Sequence, residues 1–106
     1  MNNSGVRAYQ ELREKLPLLK QALQTSHVIV FGSQARGDAA EDSDLDVVLV
    51  SERFAEEKAP DRRRLLFPLI WRDKSVDAIC LTPEEFEKLR QWPGIVNTAC
   101  EEGIWL

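Results

Sequence analysis

The sequence predicts an α/β (α+β) domain: a small mixed β-sheet with helices mainly on one face. Three observations carry that expectation. Residues 28–31, 45–50 and 75–81 are short, apolar and rich in Val and Ile, which is the length and composition of strands. Tyr9, Leu12, Leu16, Leu19 and Leu23 recur at three- and four-residue steps with charges between them, the period of a helix with one apolar stripe. Helix-start chemistry at Thr82-Pro83-Glu84-Glu85 then separates the third strand from a short apolar end at Ile104-Trp105-Leu106. The implied order is helix, strand, turn, strand, helix, strand, helix, helix, strand.

The leading stripe reads as core packing rather than as a groove for a partner. Pro17 lies inside it, so either a kink or two short helices meeting near Leu16 is expected. Residues 28–31 are an unbroken apolar run ended by Gly32, as in a strand covered on both faces. The two-residue strand period puts Asp44, Asp46, Val48 and Val50 on one face and Leu45, Val47 and Leu49 on the other. The second set should face the helices. The first begins with carboxylates and ends apolar, so its far end needs cover too.

After Pro60, Asp61 is the expected helix start, and Pro68 should end or bend that helix near Phe67. Arg62-Arg63-Arg64 could hold a triphosphate or an RNA backbone, but reads more simply as a solvated helix face balanced by Glu52, Glu56 and Glu57. Asp77 stands inside an apolar strand, where a charge is costly unless paired or metal-bound; Lys74 and Arg72 are the ion-pair candidates. Thr82 offers a cap, Pro83 fills the first helical position and Glu85 follows three residues after the cap. That helix should turn Phe86 and Leu89 inward and end near Trp92-Pro93. A last helix from about Gly94 to Glu101, stopped by Gly103, should lead into an edge strand at residues 104–106.

At 106 residues, 43% hydrophobic and 30% charged, the chain is expected to be one soluble domain, residues 1–106. A domain of this size hides only about two-thirds of its unfolded surface, so partner surfaces can matter for stability. A net charge of −4 argues against direct nucleic-acid binding, which draws on Lys and Arg neutralising phosphates. Cys80 and Cys100 are too few for a metal cage and read as reduced thiols. The longest apolar run, residues 65–71, is far short of the ~20 residues a membrane span needs. With no apolar leader at the N-terminus, no membrane association and a cytoplasmic location are expected. His27 has no Ser or Cys constellation beside it and reads as structural; Trp71, Trp92 and Trp105 read as core or interface anchors.

The chemistry concentrates between Gly32 and Asp46. Asp44 and Asp46 project to the same side of a strand, and paired hard oxygens there suit Mg²⁺, which favours a few carboxylates plus substrate phosphate oxygens. A Gly32-Ser33 turn opening a helical segment offers backbone N–H groups and a hydroxyl to a phosphate. Asp38, Glu41 and Asp42 read as solvated, Ser43 as shaping the start of the strand, and Cys80 as a core thiol pointing away from the Asp77 face.

Gly-Ser, ten residues, then Asp-x-Asp resembles the signature of the DNA polymerase beta-type nucleotidyltransferases. The fuller string GSQARGDAAEDSDLDVVLV is similar to that of the minimal nucleotidyltransferases (MNT proteins), and the likeness runs on to the closing EGIWL. The resemblance implies a nucleotidyltransferase fold in which Asp44, Asp46 and Asp77 hold two Mg²⁺ ions on a nucleoside triphosphate. Three convergent carboxylates repel one another, and two divalent cations about 3.5–4 Å apart cancel that repulsion and promote phosphoryl transfer. It further implies that Asp77 helps deprotonate the attacking hydroxyl and that Gly32 and Ser33 cradle the β- and γ-phosphates. Arg36 either adds charge on the triphosphate or braces the loop. Gln34 stands where related proteins often have Arg.

Larger relatives carry a helical domain that holds the acceptor, and its absence here points to an acceptor on another chain. MNT proteins typically pair with a HEPN-domain protein, as antitoxin to a ribonuclease toxin. The resemblance therefore implies transfer of AMP from ATP to a tyrosine hydroxyl of such a toxin, within a hetero-oligomer. Two other readings stay open at this level: an antitoxin that neutralises by occlusion alone, and a small-molecule transferase of the aminoglycoside-modifying kind.

Overall fold

A computed structural model describes residues 4–37, 44–71 and 76–106. Helix α1 (Ser4–Leu23) leads into strand β1 (His27–Phe31), the short helix α2 (Gly32–Arg36) and strand β2 (Leu45–Val50). Two 3₁₀ segments, Glu52–Glu56 and Ala59–Leu65, precede strand β3 (Val76–Leu81). Helices α3 (Pro83–Leu89) and α4 (Ile95–Glu102) and the two-residue strand β4 (Ile104–Trp105) complete the chain. The strands form one mixed sheet in the order β3-β2-β1-β4, with β1 antiparallel to both neighbours and β2 parallel to β3.

Strand parity divides the core as the sequence predicts. On one face Leu45, Val47 and Leu49 meet Leu12, Leu19 and Leu23 of α1, together with Phe54, Leu66, Ile70 and Trp71. On the other, Val48 and Val50 pack with Ile29, Phe31 and Leu81 under Phe86 of α3 and Val96 and Ala99 of α4. The two C-terminal helices thus cover the far, apolar end of the carboxylate-bearing face. Gly103 lets β4 reach β1: a Cβ there would lie 2.8 Å from the Val30 carbonyl and 2.6 Å from Ile29 Cγ2.

Three expectations need correcting. Helix α1 runs unbroken through Pro17. A mid-helix proline costs about 3 kcal/mol, but Leu12 and Leu19, on either side of it, are fully buried in one core, each worth about 1.5–3 kcal/mol. That burial holds both halves in one helix, so the alternative of two short helices is not what forms. The segment after Pro60 winds as a 3₁₀ helix with Lys58, not Asp61, at its N-cap, and turns continue it to Ile70. Leu66 and Ile70 bury its C-terminal end in the core, and side-chain bonds tie Arg62 and Arg63 to β3 and α3. Leu89, expected inward, is 45% exposed.

Those side-chain bonds also overturn the reading of the arginine run. Arg62 is only 7% exposed. Its guanidinium donates to the Cys80 carbonyl (3.0 Å) and to both carboxylate oxygens of Glu85, 3.0 Å to Oε2. Arg63 donates to the Val76 carbonyl (2.9 Å) and lies over the Phe67 ring at 5.2 Å. Only Arg64 is a solvated cation, paired with Asp61 at 3.6 Å. Two outward carbonyls of edge strand β3 are therefore occupied, which blunts an edge otherwise open to another chain.

Glu85 serves twice. The predicted capping box is formed: Glu85 accepts from the Thr82 backbone N–H (2.9 Å), and Thr82 Oγ1 accepts from the Glu85 N–H (3.2 Å). Trp71 ties the opposite face together, its indole donating to the Ala8 carbonyl (2.9 Å) and its backbone N–H to Glu11 (3.0 Å). It holds φ +62, a left-handed conformation unfavourable to a bulky residue, and full burial with these bonds holds it there. His27 is structural, packed against Phe86 (5.1 Å) and Trp105 (5.4 Å). No helix among the described residues is long and apolar enough to cross a membrane.

Breaking one partner of a buried ion pair costs about 3–5 kcal/mol when both ends are dry. The Glu85 end is open to water, so Arg62→Met should lose about 2 kcal/mol in urea unfolding, whereas Arg64→Ala should lose almost nothing. The hydrogen bond from Arg62 holds the Glu85 carboxyl below its usual range. A lowered carboxylate pKa stabilises the fold above its unfolded value, near 4.5, and the contribution disappears as pH falls through the folded value. The Arg62→Met deficit should accordingly shrink in acid unfolding curves.

Candidate active site

In the antiparallel pairing of β1 and β2, Phe31 lies opposite Asp46. In the parallel pairing of β2 and β3, Asp46 lies opposite Asp77. Phe31, Asp46 and Asp77 thus form one row across three strands, with their side chains on the same face. Chain reversal after Phe31 brings Gly32 directly onto the Asp46 carboxylate. Gly32 has φ +73, and a Cβ there would collide with Asp46 Oδ2. Glycine is needed twice over at that position, for the left-handed backbone and for the close approach.

Ser33 follows on α2, half-buried, and its carbonyl accepts from the N–H of Gly37 (3.0 Å), a left-handed C-cap at φ +82. Arg36 closes the helix at the surface, and its charge acts on Asp46. Asp44, immediately before β2, is exposed, and Asp46 is half-buried. Asp77 is exposed as well, which corrects the expectation of a charge embedded in a strand: β3 is an edge strand, and this end of the face lies outside the helix cover. Water solvates it, so it needs no ion pair to be tolerated. Its proposed partners Arg72 and Lys74 lie outside the described residues, as do Ser75, Asp38, Glu41, Asp42 and Ser43 of the sequence reading.

The electrostatics tie the three carboxylates together. Burial pushes the Asp46 carboxyl above the usual range, the charges of Asp77 and Asp44 push it further, and Arg36 draws it back. Carboxylates on neighbouring strands, about 5 Å apart, repel by roughly 1 kcal/mol in water and several times that in lower dielectric. The cost is borne at one end of one face. Cys80 points to the opposite face, where burial pushes its thiol to about 12, so it is an inert core group.

The sequence matches the nucleotidyltransferase-domain family over residues 10–106. It belongs to that family. Two solved structures are similar to this nucleotidyltransferase domain. A candidate nucleotidyltransferase from Sulfolobus solfataricus shares its fold with a TM-score of 0.64 at 23% identity, over 96% of this chain and 81% of the other. A second candidate nucleotidyltransferase gives a TM-score of 0.51 at 25% identity, over 76% of this chain and 87% of the other. No protein of curated function matches the sequence.

Nucleotidyltransferases of this family generally use a nucleoside triphosphate and a divalent metal ion. The residues present fit such an ion: an all-oxygen donor set on one face, with one member held against a backbone cradle and strained by its like-charged neighbours. Among the described residues no three such side chains are already closed into a metal cage. Mg²⁺ does not require one, since it keeps waters and takes substrate phosphates as ligands.

Sequence reasoning located the carboxylates but missed the close approach of Gly32 to Asp46, which depends on register across the strands. Two measurements check this geometry. In metal-free buffer at neutral pH, Asp46→Asn should raise the melting temperature by a few degrees, about 0.5–1 kcal/mol. A raised carboxylate pKa costs stability only while the group is ionised, so the gain should vanish below about pH 4. Millimolar Mg²⁺ should stabilise the wild type and leave the variant unmoved. Gly32→Ala should lose about 1–3 kcal/mol, measured by urea unfolding, from backbone strain and contact with Asp46.

Proposed function

We propose that this chain is an MNT-type nucleotidyltransferase that transfers AMP from ATP to a tyrosine hydroxyl of a HEPN-domain toxin, and so acts as its antitoxin. The row from Gly32 through Asp46 to Asp77 supports the reading, because a glycine turn closes onto one of two carboxylates that share an open face. Gly32 and Ser33 receive the β- and γ-phosphates through backbone N–H groups and the Ser33 hydroxyl. Arg36, whose charge already acts on Asp46, adds a positive charge on the phosphate side. Asp44, Asp46 and Asp77 would hold two Mg²⁺ ions, which when bound would offset phosphate charge and lower the pKa of the attacking hydroxyl.

Asp77 is exposed and so reachable by a group on another molecule. It takes the proton from the hydroxyl as that oxygen attacks the α-phosphorus, and the bond to the bridging oxygen breaks to release pyrophosphate. The net charge of −4 favours a protein acceptor over free RNA or DNA.

The test is mass spectrometry of a HEPN-domain protein from the same genome after incubation with this chain, ATP and Mg²⁺. An adduct of AMP on tyrosine is expected. Asp44→Asn, Asp46→Asn and Asp77→Asn should each lower the transfer rate by about 10²–10⁴-fold with the fold retained. Full transfer by Asp46→Asn sinks the assigned site. Toxin inhibition that persists in all three variants replaces enzymatic neutralisation by occlusion.

A further inference from the structure

Among the described residues three buried side-chain atoms lack a hydrogen-bond partner: Thr25 Oγ1, Gln34 Nε2 and Arg63 Nε. A buried polar atom left unpaired costs free energy, so each asks for a reason. Arg63 is held by its other atoms, since Nη2 donates to the Val76 carbonyl and the guanidinium lies over Phe67. Thr25 lies between α1 and β1, at the far end of β1 from Gly32. Gln34 is the one beside the candidate site. It follows Ser33 on α2, in the turn that closes onto Asp46.

Its position in the helix indicates what the amide can serve. With Phe31 at the N-cap, Gly32, Ser33 and Gln34 are the first three helical residues. Helix side chains lean toward the N-terminus, and a Glu or Gln in the third position commonly reaches back to accept from the N-cap N–H. No side chain caps α2 in that way. The unpaired atom of Gln34 is the nitrogen, which only donates, so an acceptor is what it lacks. The main-chain groups of a first helical turn are N–H donors too, and Ser33 adds a hydroxyl. An anion with several oxygens satisfies such a set, and a nucleoside triphosphate is one.

The helix is also free to adjust. Left-handed glycines bound it, Gly32 at φ +73 and Gly37 at φ +82, and none of its five residues is fully buried. Among the described residues nothing lies within 4 Å of where a Gly37 Cβ would stand. Rotation about these two joints gives the amide, closed off from solvent in the free chain, a path to a bound phosphate.

We infer that Gln34 is a binding residue for the triphosphate: its side-chain amide, unpaired in the free chain, donates to a phosphate oxygen beside Ser33 when the nucleotide binds. This rests on the reading of Gly32 and Ser33 as the phosphate cradle. A donor that finds its partner only in the complex adds affinity for the ligand and nothing to the stability of the free fold.

The test titrates wild type, Gln34→Met and Gln34→Glu with ATP, pyrophosphate and AMP, each with Mg²⁺ and no acceptor, by calorimetry and by ¹⁵N–¹H spectra. Methionine keeps the length of the side chain and removes the donor; glutamate keeps the shape and replaces the donor with a negative charge. Gln34→Met should bind ATP and pyrophosphate about tenfold more weakly or worse, bind AMP like the wild type, and melt no lower than it. Gln34→Glu should bind ATP more weakly still. The Gln34 side-chain N–H pair, identified by its absence from the Gln34→Met spectrum, should move downfield with ATP or pyrophosphate and stay in place with AMP. A structural role would move the melting temperature and leave these resonances and the ATP affinity alone. With ATP shifting the Gly32 and Ser33 amides, either a Gln34→Met variant that binds ATP as tightly as wild type or a side-chain pair that stays put overturns the inference and leaves the cradle standing. ATP that binds nowhere near Gly32 and Ser33 overturns both.

Discussion

The pairing of Phe31 with Asp46 across β1 and β2 is the contact on which the carboxylate-bearing end of this domain depends. Strand side chains alternate, so a slip of one residue would turn Asp46 into the α1 core and Val47 out to water. The register is secured from both sides of the sheet. Leu45, Val47 and Leu49 are buried against α1, and Val48 and Val50 are buried under α3 and α4. A slip would exchange the two sets and strand the carboxylates inside. Burial that looks purely structural therefore fixes where the carboxylates stand, and Gly32, with no side chain, lets the turn close onto Asp46.

The same face carries two opposite surfaces in succession. Its first end is charged and exposed, with Asp44 and Asp77 in water and Asp46 half-covered. Its far end is apolar and covered by helices that arrive last in the sequence. The charges that could disturb the covered end are neutralised in place: Arg62 is paired with Glu85, and Glu85 completes the cap of α3. At the carboxylate row like charges face one another, and burial together with the charges of Asp77 and Asp44 raises the Asp46 pKa. That pattern, paired charge where the fold must hold and clustered carboxylates at one open end, is what a site for a cationic or metal-bearing ligand requires.

Much of this was legible in the residues. The alternation from Asp44 to Val50, the Thr82-Glu85 capping box and the Gly-Ser turn with Asp-x-Asp each carry their geometry locally, within a few positions. What was not legible depends on distant partners. Three successive arginines look alike in sequence, yet Arg62 is buried against α3, Arg63 reaches Val76 and Arg64 faces water. Asp77 looked embedded because its neighbours are apolar, and strand order, which puts β3 at the edge, makes it accessible. Pro17 signalled a break, and burial on both sides of it outweighed the local cost. Leu89 keeps helical spacing with Phe86, yet α3 ends at Leu89 and leaves it at the mouth of a trough.

Edge position has a further consequence for Asp77. A carboxylate on a central strand would be flanked on both sides by the sheet and reached only from above. On β3 one flank is free, yet the backbone there is not open to strand pairing, because Arg62 and Arg63 occupy its outward carbonyls at Cys80 and Val76. An incoming chain thus has no run of backbone partners on that side. Ile79, two residues on from Asp77 on the same face, is the nearest apolar side chain of the strand beside it. Blocking the edge in this way discourages indiscriminate strand addition.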